Sequence, residues 1–293
     1  MIYNKSIGER FFDICNISFL VFLMIITLYP FIYVALASIS NPMEIVRHRG
    51  ILLKPLGLSF GAYKMVFDNP MIAIGYQNTL FYVIVGTIVN MLMTSLGAYV
   101  LSRKGPYWRN TIMFIIVFTM FFSGGIIPFY LLVRNLGLVN SRWALIFPTA
   151  INTWNLIVMR TSFMSIPESM EESARIDGAG DITILFRIII PLSIPVMAVM
   201  TLFYGVGHWN AWFNAMIFLR ERTLYPLQIF LREILIANVV DDMVTGMDML
   251  DREPIAETIK YATVMVATVP ILLAYPFLQK YFVKGIMVGA IKG

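Results

Sequence analysis

The chain has 293 residues, of which 59% are apolar and only 13% charged, with a mean hydropathy of +0.77 and a formal net charge of +5. Length alone would suit two soluble domains, but the apolar excess excludes a soluble globule and requires lipid around much of the surface. The small positive charge suits loops beside lipid headgroups, and no basic patch interleaved with aromatics points to nucleic acid.

Six windows lack Asp, Glu, Lys and Arg: 14–43, 69–102, 110–133, 143–159, 188–219 and 261–279. A membrane-spanning helix takes about 20 residues, within a range of roughly 17–25, so each window predicts one span. The spans are placed at about 14–36, 77–101, 110–133, 143–163, 187–208 and 260–281. The expected fold is an all-α polytopic membrane protein with a single transmembrane domain over 1–293.

The first span reads as a retained helix. Ala35-Leu36-Ala37 looks like a small-residue cleavage site, but the apolar stretch before it exceeds the roughly 7–15 residues of a signal-peptide core, and Asp13 interrupts its start. The lone cysteine, Cys15, reads as an apolar packing residue at the start of that helix. The second span carries Thr87, Asn90 and Thr94 at helical spacing and ends in a short basic turn with Arg103, Lys104 and Arg109. In the fourth span Thr149, Asn152 and Asn155 repeat in the same way, and in the fifth Thr201, Tyr204, His208 and Trp212 do. Two readings stand for these stripes. They are either hydrogen-bonded packing between helices, helped by small residues such as Gly86, Gly97 and Gly205, or the lining of a polar path for a hydrophilic solute. The candidate path residues are Asn90, Asn152, Asn155, Tyr204, His208, Trp209, Asn210 and Trp212. Trp154, Trp209 and Trp212 offer faces for stacking on sugar rings, although tryptophan is also common at membrane interfaces.

Lys and Arg tie at eleven on each side of the membrane. The acid-free turn at Arg103, Lys104 and Arg109, together with Lys280, Lys284 and Lys292, favours cytoplasmic termini. The loop over 209–259 then faces outward and mixes Arg220, Arg222, Arg232 and Arg252 with an excess of acids, Asp241, Asp242 and Asp248 among them.

What is missing from the spans narrows the chemistry. Within the six charge-free windows the one histidine is His208, near an end, and this lack of charge argues against proton or sodium coupling. The two histidines, His48 and His208, are far apart and form no H-E-x-x-H pair, and no phosphate-binding G-x-x-x-x-G-K-[ST] loop occurs. No catalytic set or metal site is expected, and any ATP chemistry belongs to another polypeptide.

Between spans four and five, Ser165 and Glu168 have capping-box spacing with Pro167 between them, predicting a short helix from Glu168 to about Asp177. Gly178 supplies a left-handed stop, and Asp181 is placed to cap a second short helix before Pro191 begins the next span. This loop, 165–186, projects as a helix-turn-helix knob. Glu172-Ser173-Ala174, then Gly178, then Ile188-Ile189-Ile190-Pro191 reproduces the spacing of the E-A-A-x3-G-x9-I-x-L-P motif, with Ser173 for the second Ala and Ile190 for Leu. The sequence therefore resembles the permease subunits of binding-protein-dependent ABC importers. Ile166-Pro167 and Arg175-Ile176-Asp177-Gly178-Ala179 are similar to the carbohydrate-uptake, MalG-like branch. Gly207-His208-Trp209-Asn210-Ala211-Trp212-Phe213-Asn214, Leu224-Tyr225-Pro226-Leu227-Gln228 and the tail from Tyr275 to Gly293 resemble its LplC/YtcP-type members.

That resemblance implies a type I importer (MetI/MalG-like) permease fold with a cytoplasmic coupling helix, in the bacterial inner membrane, with both termini cytoplasmic. It implies ATPase-coupling roles for Glu168, Glu172, Ser173, Ala174, Asp177, Gly178 and Pro191. It also implies partners: a homologous second permease, an ABC ATPase dimer that holds ATP and Mg, and a periplasmic or lipid-anchored solute-binding protein. The implied cargo is an oligosaccharide derived from polysaccharide, acidic ones such as alginate fragments included. Charges for an acidic sugar would come from partners or from rim residues such as Arg160 or Arg220. The alternatives are a non-transporting regulatory membrane subunit or a permease for a non-sugar solute.

Overall fold

Long apolar runs with polar residues at helical spacing fold as helices, and no strand occurs among the described residues. The computed structural model describes residues 6–122, 124–236 and 249–290, with backbone alone at 249–252, 274, 275 and 277–290. Asp241, Asp242 and Asp248 of the expected outer loop and the last three residues of the tail lie outside the described residues.

In chain order the helices are α1 (Ile7–Ser38), α2 (Pro42–Arg47), α3 (Gly61–Asp68), α4 (Pro70–Ser102), α5 (Arg109–Phe121), α6 (Ile126–Asn135) and α7 (Thr153–Met164). They continue as α8 (Glu168–Ile176), α9 (Asp181–Ile184), α10 (Ile190–Leu192), α11 (Ile194–Trp209), α12 (Phe213–Phe218), α13 (Leu227–Ile236) and α14 (Met249–Ala290). Among the described residues three segments are long and apolar enough to cross a membrane: α1, α4 and Glu253–Leu273 within α14. Two bent pairs pass the same test together, α5 with α6 and Asp181–Leu192 with α11.

These elements depart from the six straight spans in three places. The third span, expected unbroken over 110–133, is interrupted between Phe121 and Ile126, where Gly125 adopts φ +81°. The fourth, expected over 143–163, is a pair of 3-10 turns, Arg142–Leu145 and Phe147–Thr149, followed by α7. Pro148 lies in the second turn, and Asn152 ends the irregular stretch by accepting the Asn155 N–H through Oδ1 at 3.1 Å, so the helix starts only at Thr153. Its 12 residues reach only about 18 Å, well short of a hydrocarbon core. The fifth span, expected over 187–208, is replaced by a π-helical turn at Leu185–Ile189, then α10, then a 90° bend into α11. Pro191 and Pro195 have no N–H to give to the carbonyls four residues back, which locates the break.

Residue contacts divide the chain into two units, Met1–Asn69 with Glu233–Thr268, and Pro70–Arg232 with Val269–Gly293. In the first, α1 opens on a capping box in which Ser6 Oγ accepts the Glu9 N–H and Glu9 Oε2 accepts the Ser6 N–H. Only Ala37 and Ser38 of α1 are buried, so its apolar length requires lipid or partner helices. Cys15 is exposed on α1 and, among the described residues, is no part of a buried core, contrary to the packing role expected of it. The core of this unit is Ala37, Ile45 and Leu52, with Tyr33 edge-on to Tyr261 at 6.0 Å.

In the second unit α4 is central and packs against both α7 and α11. One apolar cluster surrounds its C-terminal end, with Ala98, Tyr99, Leu156, Phe163, Ile184 and Met200. Another surrounds its N-terminal half, with Tyr82, Val133, Ile146, Ala215 and Phe218.

Candidate functional site

The loop between α7 and α11 forms the expected helix, α8, but starts it differently. Pro167 occupies the N-cap and no side chain caps the helix. Ser165 Oγ instead donates back to the Ser162 carbonyl at 2.7 Å, and Glu168 pairs with Lys104 at 3.0 Å, so the Ser165/Glu168 capping box does not form. The stop is as expected. Gly178 has φ +83°, its N–H donates to Arg175 O at 3.0 Å and the Ala179 N–H donates to Ala174 O at 2.9 Å, the paired bonds of a Schellman ending. Asp181 does not cap the next helix. Its Oδ1 accepts from Arg175 at 2.5 Å and from the Tyr99 hydroxyl at 3.4 Å, tying the two arms of the knob together.

Of the expected coupling residues, Glu168, Glu172, Ser173, Asp177 and Gly178 are exposed, as is Pro191 in α10, while Ala174 is half-buried against the cluster around Phe163. Ile176, 86% exposed beside Asp177, gives the outward surface an apolar point.

The inner side of α8 rests on a residue absent from the expected set. Glu171 is buried and pairs with Arg103, Nη1 to Oε1 at 2.5 Å. This is a close charge contact with poor hydrogen-bond alignment, and the buried Nε of Arg103 has no hydrogen-bond partner among the described residues. Arg103 Nη2 donates to Phe163 O at the end of α7 at 3.3 Å, and its guanidinium lies 5.2 Å from the centre of the Tyr99 ring. In return, Arg160 of α7 donates from Nε to Leu101 O at 2.8 Å, and Arg109 donates from Nη1 to Arg103 O at 2.9 Å. Arg160 is therefore bonded at the end of α4. The basic turn that marks topology in the sequence is also the seat of α8. The signal for Glu171 is its place three positions before Ala174, on the same inward face of a short amphipathic helix.

The polar stripes come together along α4. Asn90 Nδ2 donates to Thr149 O at 2.7 Å and Ala150 O at 2.9 Å, which leaves its Oδ1 to accept from His208 Nε2 at 2.6 Å. Thr94 Oγ1 and Tyr204 Oη share a hydrogen bond of 2.7 Å, and Tyr204 Oη also accepts the Asn152 N–H at 3.1 Å. Asn90, Thr94, Asn155, Tyr204 and His208 are all buried. In this subunit Asn90, Thr94, Tyr204 and His208 are bonded within the bundle, an arrangement suited to hydrogen-bonded packing, while Asn155 is buried with its backbone N–H on Asn152 Oδ1. Trp209 is buried too, edge-on to Tyr76 at 6.3 Å. Asn152, Trp154, Asn210 and Trp212 are exposed, and Arg232 stacks over the Trp212 ring at 5.3 Å.

At the other end of α4, Asn78 Nδ2 donates to Thr223 O at 2.7 Å and its Oδ1 accepts from Arg142 Nη2 at 2.9 Å. Tyr82 Oη donates to Leu224 O at 2.8 Å, and Thr79 Oγ1 accepts the Leu227 N–H at 2.9 Å. These bonds fold the segment after α12 back onto α4. Arg220 is exposed, with Nη2 3.5 Å from Tyr130 Oη. Among the described residues no three His, Cys, Asp or Glu side chains gather as a metal site.

Residues 91–288 match the family described as binding-protein-dependent transport system inner membrane component. The chain is 43% identical over 291 residues to the polygalacturonan/rhamnogalacturonan transport system permease protein YtcP of Bacillus subtilis, covering 97% of this chain and 99% of that one. It is 40% identical over 293 residues to protein LplC of the same organism, covering 99% and 98%. The fold is similar to a chain in the crystal structure of a bacterial ABC transporter involved in the import of the acidic polysaccharide alginate, with a TM-score of 0.87 and 34% identity over 95% of this chain and 99% of that one. The chain belongs to the binding-protein-dependent transport system inner membrane components, the permease subunits of ABC importers.

Proposed function

We propose that this permease is one of two membrane subunits of an importer for oligosaccharides cut from acidic polysaccharides, and that α8 couples it to an ABC ATPase dimer. In this reading the chain lies in the bacterial cytoplasmic membrane with both termini and α8 in the cytoplasm. A homologous permease completes the path, a solute-binding protein delivers the sugar from outside, and ATP and Mg are held by the ATPase subunits. The observation that carries the reading is α8 itself, a nine-residue helix with Glu172, Ser173, Ile176 and Asp177 exposed while Glu171 and Ala174 hold it to the bundle. A short helix so presented is suited to seat in a cleft of a partner. Closure of that partner would then swing packed helices between two discrete arrangements. Support for the cargo comes from the relatives: one is a transport permease for polygalacturonan and rhamnogalacturonan, and the similar structure is of an importer of alginate. All three polymers contain acidic sugars.

The test is ATP hydrolysis by the complete reconstituted transporter across a panel of neutral and uronate oligosaccharides, with the cognate binding protein. Stimulation by uronate oligosaccharides is expected. Stimulation by none of the panel would contradict the reading and leave a non-transporting subunit or a permease for a non-sugar solute.

A further inference from the structure

We infer that Arg103 is a positioning residue that carries the movement of α8 into α4, through its buried pairing with Glu171 and its hydrogen bond to Phe163. The inference rests on α8 being the coupling helix.

Only Glu171 is buried among the residues of α8, so few contacts are available to transmit a displacement. Of the two ion pairs that anchor α8 to the end of α4, Lys104 with Glu168 is 77% and 53% exposed, so water and salt screen it and it holds weakly. Arg175 with Asp181 is also exposed and joins the knob to itself. Arg103 with Glu171 is the exception, with side chains only 13% and 8% exposed. Charges there are much less screened, and pulling them apart would strand both in a poorly solvated place.

The planar fork of Arg103 reaches three elements at once. Nη1 meets Glu171 on α8, Nη2 meets Phe163 O at the end of α7, and the guanidinium covers Tyr99 on the last turns of α4. Arg160 crosses the other way, from α7 to Leu101 O on α4. The ends of α4 and α7 are thus tied twice in opposite directions, and α8 is hung from that tie. Further along α4, Thr94 and Asn90 hold Tyr204 and His208 of α11. A push on α8 therefore enters α4 through Arg103, and the single helix α4 carries it to the packing against α11. Lysine could keep the charge contact but would lose the fork.

The test uses the complete transporter in proteoliposomes: this subunit, its homologous permease, the ATPase dimer and the binding protein. The readout is sugar imported per ATP hydrolysed, with whichever panel sugar stimulates the wild type most. Arg103→Gln and the nearly isosteric Glu171→Gln are expected to co-purify with the ATPase subunits yet lose about fivefold or more of that ratio, the lower end of a typical coupling energy. Arg103→Lys is expected to fall between them and the wild type, which simple filling of space would not explain. An unchanged ratio in both glutamine variants overturns the inference while leaving the proposed function standing. Loss of ATPase co-purification in both variants overturns it as well, by assigning the pair to docking. A wild-type complex that no panel sugar stimulates removes the proposed function and this inference together.

Discussion

A β-carbon placed on Gly86 would stand 2.5 Å from Nε2 of His208 and 2.6 Å from its Cε1. The imidazole of α11 lies directly on the backbone of α4, which is how Nε2 comes within 2.6 Å of Asn90 Oδ1. Gly86 is thus a residue of close approach, and its missing side chain is part of the polar seam. Gly86→Ala must push the ring away and lengthen that bond. The expected loss is about 1–3 kcal/mol, as for other overpacked sites. Thermal unfolding of the purified complex in detergent should show a lowered midpoint, and an unchanged midpoint would contradict the contact.

Asn90 satisfies three partners at once: Thr149 O, Ala150 O and His208 Nε2. Asn90→Leu keeps the volume and removes all three bonds. Each buried polar group left alone costs about 1–3 kcal/mol, so this variant should be less stable than Gly86→Ala. Its transport, measured after correction for protein amount, separates a packing seam from a sugar-lined path. A packing role predicts fewer folded molecules with normal substrate preference, and a path role predicts altered preference.

Gly178 ends α8 with φ +83°, and no atom stands within 4 Å of a β-carbon built there. The cost of a side chain is therefore conformational, about 1–2 kcal/mol for most residues and small for asparagine. Gly178→Asn should couple nearly as the wild type does, Gly178→Val should couple poorly, and Gly178→Pro should uncouple hydrolysis from uptake. Equal coupling by all three would show that the angle of the knob is unimportant.

Burial raises the Glu171 carboxyl above its ordinary value, against Arg103 and Arg175, which lower it, and with Asp181 adding to the rise. A carboxyl raised on folding favours the folded state when protonated. That contribution is present below the unfolded pKa and is lost as pH rises through the folded one. The ionised side chain therefore costs stability at neutral pH. Glu171→Gln, which keeps the shape and removes the buried negative charge, should unfold no earlier than the wild type even as it loses coupling. The pairing itself needs the carboxylate. Import per ATP should decline on acidification at a higher pH than an ordinary glutamate, near about 4.3, would allow. A pH profile of that ratio should lose this limb in Glu171→Gln, and an unaltered profile would remove Glu171 from the coupling path.

Local signals carried far in this chain. Gly178 as a stop, α8 from Glu168 and the polar faces of α4, α7 and α11 follow from capping chemistry and helical spacing, which act over a few residues. The failed capping box is equally local: Pro167 takes the N-cap and Ser165 turns back to Ser162. Pairings between distant segments were not legible, because spacing carries no record of which faces meet. Arg103 reads as topological charge until it is seen against Glu171, and the stripes do not reveal that Asn90 meets His208 or that Thr94 meets Tyr204. The absence of charge likewise overstates helix length. Windows 110–133 and 188–219 are free of charge yet broken, at Gly125 and at Pro191 with Pro195, since the lipid requirement constrains polarity while backbone chemistry decides continuity.

The central claim is that α8 joins ATP hydrolysis to oligosaccharide import. Its most direct test is accumulation of labelled uronate oligosaccharide by proteoliposomes carrying the complete transporter, comparing wild type with Glu172→Lys, a charge reversal on the exposed face of α8. The wild type should accumulate sugar only with ATP and the binding protein present, and Glu172→Lys should hydrolyse ATP without accumulating it. Accumulation without ATP, or equal accumulation by Glu172→Lys, would contradict the claim.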